Sequence, residues 1–136
     1  MGHNCDTLII RCMDFRLSTE VIARLLIEAG IIQTDRFDLI SVAGAAKPFL
    51  GSGAESSFMM GQTETAVKLH GTKKIVLMMH DDCGAYGIAN ESEEEEVQRE
   101  DLKRVASLIA TKFPNLEVVK LILKGTKTGR FFLVQV

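Results

Sequence analysis

Short apolar runs alternate with segments of 3.6-residue periodicity along the whole chain, and few architectures satisfy that alternation. Thr7–Cys12 (TLIIRC) reads as a buried strand. Ser18 is placed to cap a helix whose Val21, Ile22, Leu25, Leu26 and Ala29 share one face, and Gly30 is its stop. Residues 37–43 (FDLISVA) form a second expected strand, and 54–70 a second helix ended by Gly71. Residues 74–79 (KIVLMM) are the most apolar run, so this third strand is expected at the centre of the sheet. Ser92 and Glu95 have capping-box spacing and predict a third helix, with Leu102, Val105, Ala106, Ile109 and Phe113 on one face and Pro114 at its end. The acidic run 93–96 then falls in the first turn, where it suits the helix dipole and reads as a solvated start. Residues 117–123 (EVVKLIL) and 130–136 (RFFLVQV) are a fourth and fifth strand joined by the hairpin-like turn KGTKTG.

This order predicts an α/β three-layer sandwich. A mainly parallel central sheet is flanked by helices on both faces, with a C-terminal antiparallel hairpin strand. The 136 residues are expected to form a single domain over 1–136. A formal charge of −2 gives no footprint for nucleic acid. No apolar run approaches the roughly 20 residues of a membrane span, and no signal peptide is visible, so a cytoplasmic location is expected. Three cysteines, Cys5, Cys12 and Cys83, are too few for a disulfide framework and direct attention to metal or catalytic use.

Sites in such folds lie beyond the carboxyl ends of the strands, where strand order reverses. The first strand ends in Cys12-Met13-Asp14-Phe15-Arg16 and the third in His80-Asp81-Asp82-Cys83-Gly84. A lone cysteine at a strand end is ordinarily a small buried hydrophobe, and His-x-x-Cys alone is a weak motif. If the two strands are neighbours, however, Cys12, His80 and Cys83 converge. Two thiolates and an imidazole suit Zn²⁺, and three protein ligands leave a fourth position open, as in catalytic zinc sites.

Cys-x-Asp-x-Arg after the first strand and His-x-x-Cys-Gly after the third resemble the β-class carbonic anhydrases. So do Thr63-Glu64-Thr65-Ala66-Val67, Leu69 and Gly71 before the third strand, Ala43-Gly44-Ala45 after the second, and Lys127-Thr128-Gly129-Arg130 before the last. The resemblance implies that Cys12, His80 and Cys83 ligate zinc. It also implies that Asp14 and Arg16 form the catalytic dyad, with Asp14 either paired to Arg16 or turned to the metal as a fourth ligand. The implied activity is that of a carbonate dehydratase, a lyase that hydrates CO₂ reversibly to bicarbonate with a metal-bound hydroxide. A homodimer or higher homo-oligomer is implied as well. The chain departs from the family in three places. Ser41-Val42 replaces a polar pair, the bulky Phe15 replaces a small residue, and the first strand begins almost at once, without the helical arm that wraps a partner. Two other readings use the same site: hydrolysis of carbon disulfide or carbonyl sulfide, and metal binding without turnover.

The remaining features read as structural. Gly51-Ser52-Gly53 lacks the position and third glycine of a dinucleotide loop and reads as a flexible loop. Cys5 reads as a free thiol, and His3 and His70 show no partner in the pattern. Met59, Met60, Met78 and Met79 read as core or interface, and Tyr86 as packing or pocket lining.

Overall fold

A computed structural model describes residues 2–136. The strands are β1 (Thr7–Cys12), β2 (Asp38–Val42), β3 (Lys74–His80), β4 (Glu117–Lys124) and β5 (Phe132–Gln135). The helices between them are α1 (Thr19–Glu28), α2 (Gly53–His70) and α3 (Glu91–Lys112). A one-turn 3-10 helix, Lys47–Leu50, precedes α2 and has no counterpart in the apolar pattern; Pro48 opens it. Where a flexible glycine loop is expected, Ser52 and Gly53 instead form the start of α2.

The sheet runs β2-β1-β3-β4-β5, with β1 to β4 parallel and β5 antiparallel to β4. Ile10 sits between Ile40 and Leu77 in register. The expected three-layer α/β architecture is therefore the one found, with β3 in the middle. β1 and β3 are apolar at nearly every position because both of their faces are covered. Right-handed crossovers place α1 on one face and α2 and α3 on the other. Leu8, Ile9, Ile10, Ile75, Leu77, Leu121 and Leu123 meet Leu26 of α1 and Leu102, Val105 and Ile109 of α3 in one continuous core.

The helix ends follow local chemistry. Ser18 accepts from the Val21 amide, and Gly30 and Gly71 take left-handed φ of 72° and 67° just past α1 and α2. The capping box at Ser92 is corrected. Asn90 is the N-cap of α3, its Oδ1 accepting from the Glu93 amide at 2.9 Å. Asn caps at least as well as Ser, and α3 begins one residue before Ser92, which leaves that side chain inside the first turn.

From β1 the chain moves outward to β2, then crosses back to β3 on the other side of β1. This reversal opens a crevice beyond the carboxyl ends of β1 and β3, where a ligand site is expected.

Candidate metal centre

Cys12 is the last residue of β1, His80 the last of β3, and Cys83 lies in the turn that follows. All three are buried, and their donor atoms lie within 4.8 Å of one another. The two sulfurs are 4.0 Å apart. Two sulfurs on one tetrahedral zinc at about 2.3 Å would be about 3.8 Å apart, so the pair is already spaced for such an ion. His80 is 1% exposed. Its Nδ1 faces the Asp81 carbonyl at 2.7 Å and the Thr126 hydroxyl at 3.1 Å. A carbonyl only accepts, so Nδ1 carries the proton and the neutral ring keeps its lone pair on Nε2. That Nε2 is buried without a hydrogen-bond partner. An orphaned buried acceptor costs about 1–3 kcal/mol unless something uses it. Two sulfurs and this nitrogen therefore fit a thiophilic divalent cation, with the imidazole held from behind as metal-binding histidines are.

The sulfurs share protons unequally. The hydrogen bond from Cys83 holds the Cys12 thiol far below its ordinary range against the effect of burial, and the Gly44 and Asp14 amides pull the same way. The Cys12 sulfur in turn pushes Cys83 up, and burial adds to the rise. Burial opposes charge on His80, but attraction to Cys12 outweighs it and raises the imidazole. A bound cation would replace these shared protons.

Asp14 and Arg16 lie beside the three donors. Arg16 grips Asp14 through Nε–Oδ1 at 3.0 Å, Nη2–Oδ2 at 2.7 Å and its own amide at 2.9 Å. These bonds hold the Asp14 carboxyl at about 2. Its Oδ2 stands 3.9 Å from His80 Nε2, facing the cluster. The far side of the guanidinium reaches Asp82, with Nη1 donating to Oδ2 at 2.8 Å and Nη2 to the carbonyl at 2.9 Å. Phe15 is 94% exposed, so its ring stands in solvent and does not fill the space above the donors.

Several residues around this cluster are not singled out by the sequence pattern. Glu94 is 3% exposed, which corrects the reading of the acidic run as wholly solvated. Its two oxygens accept the amides of Asp82 and Cys83 at 2.8 and 2.9 Å. Gln98 donates to the His80 carbonyl at 2.8 Å. Asp81 accepts the Gly125 and Thr126 amides at 3.0 Å, docking the β4–β5 hairpin behind His80. Arg11 is buried and donates to the carbonyls of Cys12 and Asp14 and to the Thr19 hydroxyl, bracing the loop that carries the dyad. The signal for Arg11 was a charge inside an otherwise apolar strand. Tyr86, which the sequence does single out as packing or pocket lining, donates to Asp101 at 2.8 Å and lies under the Lys47 ammonium.

Other candidates lie elsewhere. Cys5 is a free, half-buried thiol. His70 does have a partner, against expectation: Nδ1 meets Asp38 Oδ2 at 2.6 Å, a contact between α2 and β2 distant in sequence. Cys5 and His70 line a surface cleft of about 890 Å³ at the opposite end of the sheet. No metal-ligating cluster forms there among the described residues, so size is a poor guide to the chemistry here.

The fold is that of the β-class carbonic anhydrases. The chain superposes on the structure of the β-carbonic anhydrase CcaA with a TM-score of 0.65 at 16% identity, covering 100% of this chain and 78% of that one. On the wild-type β-carbonic anhydrase CafD of Aspergillus fumigatus the TM-score is 0.54 at 14% identity, covering 96% and 90%. Residues 2–129 match the protein family described as "Putative carbonic anhydrase", and the chain belongs to that family. An uncharacterized protein of Rickettsia bellii is 31% identical over 128 residues, covering 85% of this chain and 74% of the relative. One from Rickettsia conorii is 30% identical over 128 residues, covering 85% and 66%.

Proposed function

We propose that this chain is a zinc-dependent carbonic anhydrase interconverting CO₂ and bicarbonate. One observation carries the reading: two thiols and an unpartnered imidazole nitrogen are buried together at the ends of β1 and β3, in a member of a carbonic anhydrase family. Cys12, His80 and Cys83 would hold the ion, which when bound supplies a Lewis acid that makes a water-derived nucleophile available near neutral pH.

The chain's own residues do the rest. Asp81 and Thr126 hold the His80 ring so that Nε2 faces inward. Asp14, held at about 2, is too acidic to act as a general base near pH 7. Its role is to accept a hydrogen bond and so orient a hydroxyl toward the carbon of CO₂. Arg16 keeps that carboxylate ionised and fixed in plane, which a planar guanidinium does better than an ammonium.

The test is elemental analysis of protein purified without chelator, paired with stopped-flow CO₂ hydration. One zinc per chain and measurable hydration are expected. Cys83→Ser should lose most of the metal and Cys5→Ser none. Protein that takes up no zinc even when supplied would end this reading. Sulfide release from carbon disulfide or carbonyl sulfide, without CO₂ hydration, would replace it with a hydrolase using the same residues.

A further inference from the structure

The buried stripe of α3 consists of Glu94, Gln98, Leu102, Val105 and Ile109, spaced four, four, three and four residues apart. It is apolar where it meets the sheet and polar at the end nearest the candidate metal centre. A helix normally buries only apolar side chains on its core stripe. A carboxyl group taken from water there is costly unless it is satisfied. Glu94 forms no ion pair with lysine or arginine among the described residues; its two oxygens instead take consecutive backbone amides, those of Asp82 and Cys83. One turn on, Gln98 takes the His80 carbonyl. The polar part of the stripe thus grips the peptide groups of the segment that carries two of the three donors.

We propose that Glu94 is a positioning residue for the metal centre, acting from α3 to set the conformation of the His80–Cys83 turn; this rests on the metal-site reading above. The turn has a backbone for such a hold to fix. Asp82 has a φ of 52°, in the left-handed region that is uncommon outside glycine, though Asp tolerates it better than most residues. In that conformation the Asp82 and Cys83 amides point together at α3 and are closed off by one carboxylate. The Cys83 sulfur then lies 4.0 Å from Cys12, and the Asp82 carbonyl and carboxylate reach Arg16. Glu94 therefore acts on both halves of the site, on one donor directly through its amide and on the Asp14–Arg16 dyad through Asp82. Outer residues that orient metal ligands typically change metal affinity 10- to 100-fold when altered.

The experiment measures zinc affinity by chelator competition, and the cobalt–thiolate absorption of Co²⁺-substituted protein, in the full chain and in Glu94→Gln and Val105→Ala. Gln keeps the volume but sets a carboxamide N–H donor against one of the two backbone N–H donors, so affinity should fall on the order of 10- to 100-fold and the cobalt bands should shift. Val105→Ala lies on the same stripe and weakens the fold without touching the turn, so in the folded protein its affinity and spectrum should match wild type. Glu94→Gln with unchanged affinity and spectrum overturns the proposal, and so does an equal loss in both variants. If wild type binds neither metal, the metal-site reading fails by itself. What is then left of the proposal, the hold of Glu94 on the His80–Cys83 turn, is decided by hydrogen exchange in the wild-type chain, which also serves if Glu94→Gln does not fold. Slow exchange of the Asp82 and Cys83 amides supports it, and exchange at the rate of an exposed loop overturns it.

Discussion

Asp14 and Glu94 flank the same three donors and differ in what holds them. Asp14 is clamped by the Arg16 side chain and faces the donors; Glu94 is closed off by two backbone amides. Replacing Asp14 should therefore affect turnover more than metal. Asp14→Ala is expected to retain zinc by elemental analysis while CO₂ hydration falls on the order of 10- to 100-fold in stopped flow. Full activity in that variant would remove its orienting role. The donors themselves were legible because each stands at or just after the end of an apolar run, and strand ends are where such sheets place their chemistry. Glu94 was not. A run of four glutamates carries no phase of its own, and which one faces inward depends on where the helix starts. The phase is recoverable only by counting back from Leu102 and Ile109 through Gln98.

Two predictions belong to α3 as an element. Because Asn90 is its cap, Asn90→Ala should cost about 1 kcal/mol in urea unfolding. Ser92→Ala should stay within about 0.5 kcal/mol, the range of an ordinary surface change; the opposite order would restore the capping box. The second concerns Glu95, whose carboxylate meets Lys124 of β4 at 2.6 Å. The Lys124 hydrogen bond lowers the Glu95 pKa, with Arg99 adding to it. Lys124 keeps its charge throughout, its own pKa being raised despite burial. A carboxylate depressed in the folded state stabilises above its unfolded pKa of about 4.3, and that contribution is lost as pH falls through the lower folded value. With Glu95 about a third exposed, Glu95→Gln should cost at most about 1 kcal/mol at neutral pH. The difference from wild type should shrink as pH falls below about 4.3 toward the lowered folded value; one that does not shrink would mean the pair is not its source. The elements were readable from periodicity. Their caps were less so, because Asn90 and Ser92 both carry capping chemistry and only the path of the preceding loop decides between them.

At the scale of the whole molecule, β2 is an open sheet edge with Leu39 exposed, and α2 presents Phe58 and Leu69 to solvent. A homodimer resting on the sheet edge and α2 is the expected assembly. Light scattering should give at least twice the chain mass of 15.0 kDa, and a monomer mass at high concentration would refute it. The alternation of strands and helices and the centrality of β3 followed from the order of residues, whereas the meeting of Cys12 with His80 and Cys83 required β1 and β3 to be neighbours, which the sheet order supplies. Hydrophobic periodicity sets the elements, and the right-handed crossover rule sets the face each helix covers once the strand order is given. What tertiary structure alone decided are the contacts between residues far apart in sequence. These are the His70–Asp38 pair, the docking of the β4–β5 hairpin on Asp81, the fork of Arg16 between Asp14 and Asp82, and the grip of Glu94 on the Cys83 turn. Each depends on the relative rotation of elements within a close-packed interior, and a rotation has no signature in composition or spacing. It is set only when the core closes and every buried polar group must find its partner.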